Sequence, residues 1–96
     1  MFDWDEGNIS KNFLKHGVTN ENVEGVFGLR PLLILPDTKH SVYETRKLLL
    51  GVTDSGRKLS IVFTIRSGKI RIISARNMSR KEVRFYEEKS KTDTKI

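Results

Sequence analysis

A sequence of 96 residues, 36% of them apolar, has room for one domain with one modest core, burying about 60–65% of the surface its unfolded chain exposes. It contains no cysteine, which excludes disulfides and thiolate metal sites. Its longest apolar run, residues 32–35, is far too short to cross a bilayer, and acids at Asp3, Asp5 and Glu6 argue against a signal peptide, so a cytoplasmic protein with no membrane partner is expected. The net charge of +6 sits entirely in the last third: residues 1–65 hold 8 Lys/Arg against 8 acids, and residues 66–96 hold 10 against 4.

In chain order, Phe2-Asp3-Trp4 reads as a short extended segment with Trp4 in the core. Asp5 is a good N-cap, Glu6 suits the positive end of a helix dipole, and the Ile9–Phe13 spacing predicts an amphipathic helix over residues 6–16. Gly17 follows as its left-handed stop. Thr19 caps a second helix whose apolar face is Val23, Val26 and Phe27, and Gly28 ends it. Residues 31–36, bracketed by Pro31 and Pro36, predict a short strand at a sheet edge, because proline has no N–H to give to the ladder. Residues 37–41 form a polar loop. Three strands follow, over residues 45–52, 58–66 and 69–76, joined by the short Asp54-Ser55-Gly56 and Ser67-Gly68 connections that antiparallel hairpins use. Ser79-Arg80-Lys81-Glu82 is a capping box that opens a last helix reaching about Glu88, and residues 89–96 read as a polar, disordered tail.

The predicted fold class is α+β: two N-terminal helices and a C-terminal helix packed on a three- to four-stranded antiparallel sheet, in a single domain over residues 1–88. With the helices covering one sheet face, the other is left for solvent, a nucleic acid or a partner. The basic final third favours a polyanion, since neutralising phosphates releases condensed counterions. The plain alternative is a solubilising C-terminal tail. It accounts poorly for Arg66, Arg71, Arg76, Arg80 and Arg84, which fall in patterned segments.

The stretch from Asp37 to Arg46 is the first place where chemistry could reside. Glu44 and Arg46, two residues apart at the start of a strand, share a face, and His40 stands in the loop just before. A base, an acid and a guanidinium converging there suit RNA cleavage by the 2′-OH. That reaction needs one group to take a proton, one to return it, and a cation to hold the phosphorane charge; it requires no metal and no cofactor. A surface Glu44–Arg46 ion pair is the bland alternative. Arg71 and Arg76 differ by five positions, so in a regular strand they face opposite sides unless a bulge redirects one. Arg76, at the strand's mouth, is the better phosphate ligand, with a salt bridge to the N-terminal acids as its structural alternative. His16 ends a helix, where a histidine meets the negative dipole end. On the last helix Arg80, Lys81 and Arg84 are placed to meet a phosphate backbone, and Tyr86 is expected to be packed.

Trp4-Asp5-Glu6, Asn12 with Lys15-His16-Gly17-Val18, Val26-Phe27, Asp37 with His40-Ser41, Glu44-x-Arg46, Gly51, and Ile72-Ile73-Ser74-Ala75-Arg76 with Tyr86 together resemble, in order and spacing, the BrnT toxins. The resemblance covers residues 2–87. It implies a RelE-like fold and a ribonuclease toxin of a type II toxin–antitoxin system that halts translation. It also implies a BrnA-type ribbon-helix-helix antitoxin as partner, with operator DNA reached only through that antitoxin. Carried onto matching positions, it implies His40, Glu44, Arg46 and Arg76 as catalytic residues and Lys15 and His16 as RNA contacts, beside Arg71, Arg80, Lys81 and Arg84. The chain departs from the pattern at Asn8, where a lysine is expected, and at Arg30-Pro31-Leu32, which replaces a more acidic stretch. A non-catalytic nucleic-acid-binding or partner-docking module is the competing reading. It predicts small, additive losses over many Lys/Arg rather than collapse on one substitution.

Overall fold

The computed structural model describes residues 2–4, 17–29, 32–36 and 45–93. The expected first helix, the loop at residues 37–41, and with them Lys15, His16, His40 and Glu44 lie outside the described residues. Two helices and four strands are found: α1 (Asn20–Gly28), β1 (Leu33–Pro36), β2 (Lys47–Val52), β3 (Lys58–Arg66), β4 (Lys69–Asn77) and α2 (Arg80–Asp93). The fold is therefore α+β with a four-stranded antiparallel sheet in the order β1-β2-β3-β4, and the described residues contain one N-terminal helix rather than two.

Local chemistry sets each boundary. Thr19 and Asn22 form a reciprocal cap, each side chain accepting the other's backbone N–H at 3.1 Å, and this opens α1. Gly17 has φ +64°, in the left-handed region. Ser67 and Gly68, at φ +50° and +77°, make the two-residue turn whose handedness matches the twist of β3 and β4. β1 takes the sheet edge, as its flanking prolines require, and pairs only with β2 among the described strands. Phe2 makes a single parallel bridge to Ile70 at the outer side of β4, and Asp3 donates its N–H to the Ile70 carbonyl at 2.7 Å.

The period of two along β3 separates two faces. Leu59, Ile61 and Phe63 point to one, where with Leu49, Ile72 and Ala75 they bury Val23 and Val26 of α1 and Val18 before it. Phe27 bridges Phe2 and Phe63 edge-on at 5.2 and 5.3 Å between ring centroids, tying the N-terminal segment to this core. Trp4 is half-buried beside it and donates its indole N–H to Glu24 at 2.6 Å.

Lys58, Ser60, Val62, Thr64 and Arg66 point to the other face, and this face is not left bare. α2 crosses one end of it, lying against β1 and β2, where Leu50 is fully buried and Leu33, Leu35 and Leu48 are half-buried. Helices on a single face were expected; α1 and α2 instead lie on opposite faces. The reason is that β1 and β2 carry leucines on both faces, whereas the polar residues of β3 leave only the β1–β2 corner apolar enough to seat a second helix. Tyr86 and Ser90, one turn apart on α2, are buried there. The helix also continues to Asp93, past the Glu88 limit and into what was expected to be a disordered tail. Its further turn is held by buried Ser90, which donates to the Glu87 carbonyl, and Lys89 lies over the Phe85 ring at 5.8 Å.

Candidate functional site

One irregularity decides which charges meet. Between Val62 and Phe63 the β3–β4 register slips: Val62 faces Ser74 and Phe63 faces Ile72, so Ile73 is an extra residue in β4. Beyond such a bulge the alternation reverses. Arg71 pairs with Thr64 and Arg76 with Ser60, and these partners are four residues apart on β3. Arg71 and Arg76 therefore share a face, where a regular strand would have opposed them.

On that face the positive charge gathers at the turn end, away from α2. Arg66 and Lys69 face each other beside the turn, and the next row across the sheet is Thr64 with Arg71. Continuing the β2–β3 register by one residue sets Arg46 on the far side of Thr64, and Thr64 Oγ1 holds this neighbourhood by donating to the Thr45 carbonyl at 2.7 Å. Arg46 and Arg71 are half-buried and Thr64 is buried between them. Arg71 also meets Asp3 at 3.4 Å, so the arginine that pairs with an N-terminal acid is Arg71, not Arg76.

Arg76 stands two rows away, about 13 Å along the strand, under the start of α2. It grips Glu82 with both prongs of its guanidinium, Nη1–Oε1 at 2.8 Å and Nη2–Oε2 at 3.1 Å, and Nη1 donates as well to the Asn77 carbonyl. Glu82 is also the capping-box residue of α2: it accepts the Ser79 N–H at 2.9 Å, and its own N–H donates to Ser79 Oγ at 3.2 Å. Ser60 Oγ donates to its second oxygen at 3.2 Å. Burial pushes the Glu82 pKa upward, but the Arg76 fork, the Ser79 N–H and the Ser60 hydroxyl outweigh it and hold the carboxyl below the ordinary carboxylate range. The hydrogen bond to Glu82 in turn raises Arg76 further. The Glu82 side chain is 19% exposed and that of Arg76 44%, so the guanidinium keeps an outer edge towards solvent.

Arg80, Lys81 and Arg84 are exposed, with Lys81 and Arg84 on the side of α2 turned away from Tyr86 and Ser90. They form a second basic surface, separate from the Arg46–Arg71 row. Tyr86 is packed as expected, and burial raises its phenol pKa. Three features escaped the sequence reading. Arg66 and Lys69 were not named as site residues, although their place on either side of a two-residue turn makes them a facing pair. The capping box at Ser79 was legible, but not the second use of Glu82 as the partner of Arg76. Arg57, whose Nε donates to Asn77 Oδ1 at 2.7 Å and Nη1 to the Gly17 carbonyl at 2.8 Å, left no signal, because its partners lie 20 and 40 residues away.

Among the described residues no helix is long and apolar enough to cross a membrane. No curated protein matches the chain. The family model described as the ribonuclease toxin, BrnT, of type II toxin–antitoxin systems matches residues 4–82. That span takes in both helix caps, the whole sheet, the bulge and the Arg76–Glu82 pair, and the chain belongs to the BrnT family of ribonuclease toxins.

Proposed function

We propose that the protein is a cytoplasmic, metal-independent endoribonuclease that cleaves RNA by attack of the 2′-OH and so arrests translation. A BrnA-type ribbon-helix-helix antitoxin neutralises it, and operator DNA is reached only through that antitoxin. His40 and Glu44 serve as the base and the acid, Arg46 holds the charge of the scissile phosphate, and Arg76, paired with Glu82 about 13 Å along the same face, holds phosphate charge further along the RNA. Arg71, Arg80, Lys81 and Arg84, with Lys15 and His16, bind the RNA backbone. The observation that carries this reading is the turn end of the bulged sheet face, where Arg46 and Arg71 flank Thr64 and Arg76 lies further along the same face. Cations fixed on a rigid sheet stabilise a developing phosphorane better than mobile tail lysines, because they need no reorganisation as the charge forms.

The test is inducible expression in a bacterium of the wild type, Glu44→Gln and Arg46→Ala, scoring growth and the integrity of total RNA. Growth arrest with RNA decay, abolished by either substitution, is expected. Wild-type expression that leaves growth and RNA intact sinks the nuclease reading.

A further inference from the structure

We propose that the β3–β4 hairpin tip is a second RNA subsite, in which Arg66 and Lys69 hold the phosphate next to the one bound in the Arg46–Thr64–Arg71 row. This rests on the ribonuclease reading above and deepens it by giving the substrate strand a direction, along β3 and β4 towards the turn.

Geometry comes first. Arg66 and Lys69 are register partners, so their side chains leave the same face of the sheet, the face that carries Arg71 and Thr64. Both are exposed. The two rows are two residues apart, about 7 Å along the strands, a separation that suits adjacent phosphates of an extended single strand. The turn that presents the pair has no slack: Ser67 and Gly68 both adopt left-handed backbone, and Arg66 and Lys69 are the last paired residues before it. Two long cationic side chains are thus held side by side on a short, fixed ribbon.

Charge selects the occupant. Among the described residues this end of the face carries Arg46, Arg66, Lys69 and Arg71, and Arg71 meets Asp3. The hairpin's opposite face carries Ile65, which is exposed, and Ile70, which packs against the core; it has no charge to offer. An extended polyanion therefore meets one side of the ribbon only. A strand laid over the two rows passes beside Arg46.

The experiment measures binding of the purified chain to a mixed-sequence single-stranded RNA carrying 2′-O-methyl groups, which blocks attack by the 2′-oxygen, across a range of salt concentrations. Each phosphate contact on a single strand contributes about 0.7 to the slope of log binding constant against log salt. Arg66→Gln/Lys69→Gln is expected to flatten the slope by about 1.4 if each side chain neutralises one charge, and each single change by about 0.7. Lys47→Gln/Lys89→Gln, which removes the same charge from the opposite sheet face and from α2, is expected to leave the slope unchanged. A hairpin variant with the wild-type slope overturns the proposal, as does an equal flattening in both double variants, which would report net charge alone. A hairpin variant that binds RNA normally but loses antitoxin overturns it in favour of a protein-docking role. A wild type that cleaves unmodified RNA while the hairpin variant keeps its slope overturns only the subsite; a wild type that neither binds nor cleaves overturns the nuclease reading with it.

Discussion

Arg71 and Arg76 lie an odd number of residues apart in one β-strand and yet on the same face of the sheet, because Ile73 between them is accommodated as a bulge opposite Val62 and Phe63. The consequence is a division of labour. Arg71 joins Arg46 across Thr64 at the turn end, with Asp3 as its counter-charge. Arg76 is drawn to Glu82 and joins the sheet to the first turn of α2. The bulge also keeps Ile72 and Ala75, on either side of it, in the core.

Deleting Ile73 tests this directly. Removing the extra residue closes the bulge and moves no other pair: Phe63 still faces Ile72, Val62 faces Ser74, Ile61 faces Ala75 and Ser60 faces Arg76. Ala75 therefore stays in the core and Arg76 stays beside Glu82, and the deletion is expected to cost less than about 3 kcal/mol in chemical denaturation. In a strand without the bulge the same deletion would turn residues 74–77 to the other face and bury Arg76 against Leu59 and Ile61, one of the most damaging classes of change. Ile73→Val, which keeps the bulge, is expected to cost at most about 1.5 kcal/mol. A loss above about 3 kcal/mol on deletion would contradict the assigned register.

Glu82 makes acid stability the readout for the helix–sheet lock. Its folded pKa is depressed, so its contribution is fully present above the pH where an unfolded glutamate titrates, about 4.3. That contribution is lost as pH falls from there through the lower folded value. Glu82→Gln keeps the size of the side chain and part of the cap but not the charge. The variant is expected to be less stable than wild type at pH 7 and to lose less stability between pH 5 and pH 3, as followed by urea titration. Ser79→Ala, which removes the Oγ that caps Glu82 N–H, is expected to cost about 1 kcal/mol at either pH.

What the sequence made legible follows from how local its signals are. Thr19, Ser79 and the Ser67–Gly68 turn act within a few residues, and each marked a boundary that the structure keeps. Both prolines assigned β1 to an edge for the same reason. The face assignments of β4 and α2 were not legible, because they depend on pairing across strands: nothing near Ile73 says that it bulges, and nothing near Tyr86 says which face it covers. For the candidate site, Arg46, Arg71 and Arg76 could be named from pattern, but their grouping could not. Arg71 proved the neighbour of Arg46, and the carboxylate engaging Arg76 came from the following helix rather than the N-terminus.

Arg57 is expected to be a long-range tether. One guanidinium joins Asn77, at the end of β4, to the Gly17 carbonyl, just before α1. Arg57→Ala removes both bonds, and because the site is partly exposed the expected loss is about 1–2 kcal/mol. Arg57→Lys should recover little, since an ammonium cannot reproduce the planar fork that reaches two acceptors at once. Hydrogen exchange provides the sharper measurement: faster exchange in the first turn of α1, with α2 unchanged, is the expected pattern. A uniform change across the chain would show that Arg57 acts on global stability instead.

Gly51 marks the closest approach of sheet and helix. A Cβ built there would lie 2.5 Å from Val26 Cγ1 and 3.2 Å from Leu49 Cδ2, while open space surrounds the positions where side chains would project from Gly25 and Gly28. Val26 is fully buried and β-branched, so it has almost no freedom to move aside in a helix. Gly51→Ala is therefore expected to destabilise by about 1–3 kcal/mol through overpacking, although alanine suits a strand better than glycine in open surroundings. At about 4–8 °C per kcal/mol for a domain of this size, the loss is readily seen in a thermal melt. Val26→Ala alone also destabilises, by leaving a cavity. In the double variant the two changes should partly cancel, because the added methyl fills the space the valine vacates, giving a favourable coupling of at least about 0.5 kcal/mol. Strictly additive losses would mean that the helix can shift to accept the methyl, and that Gly51 does not set the distance between α1 and β2.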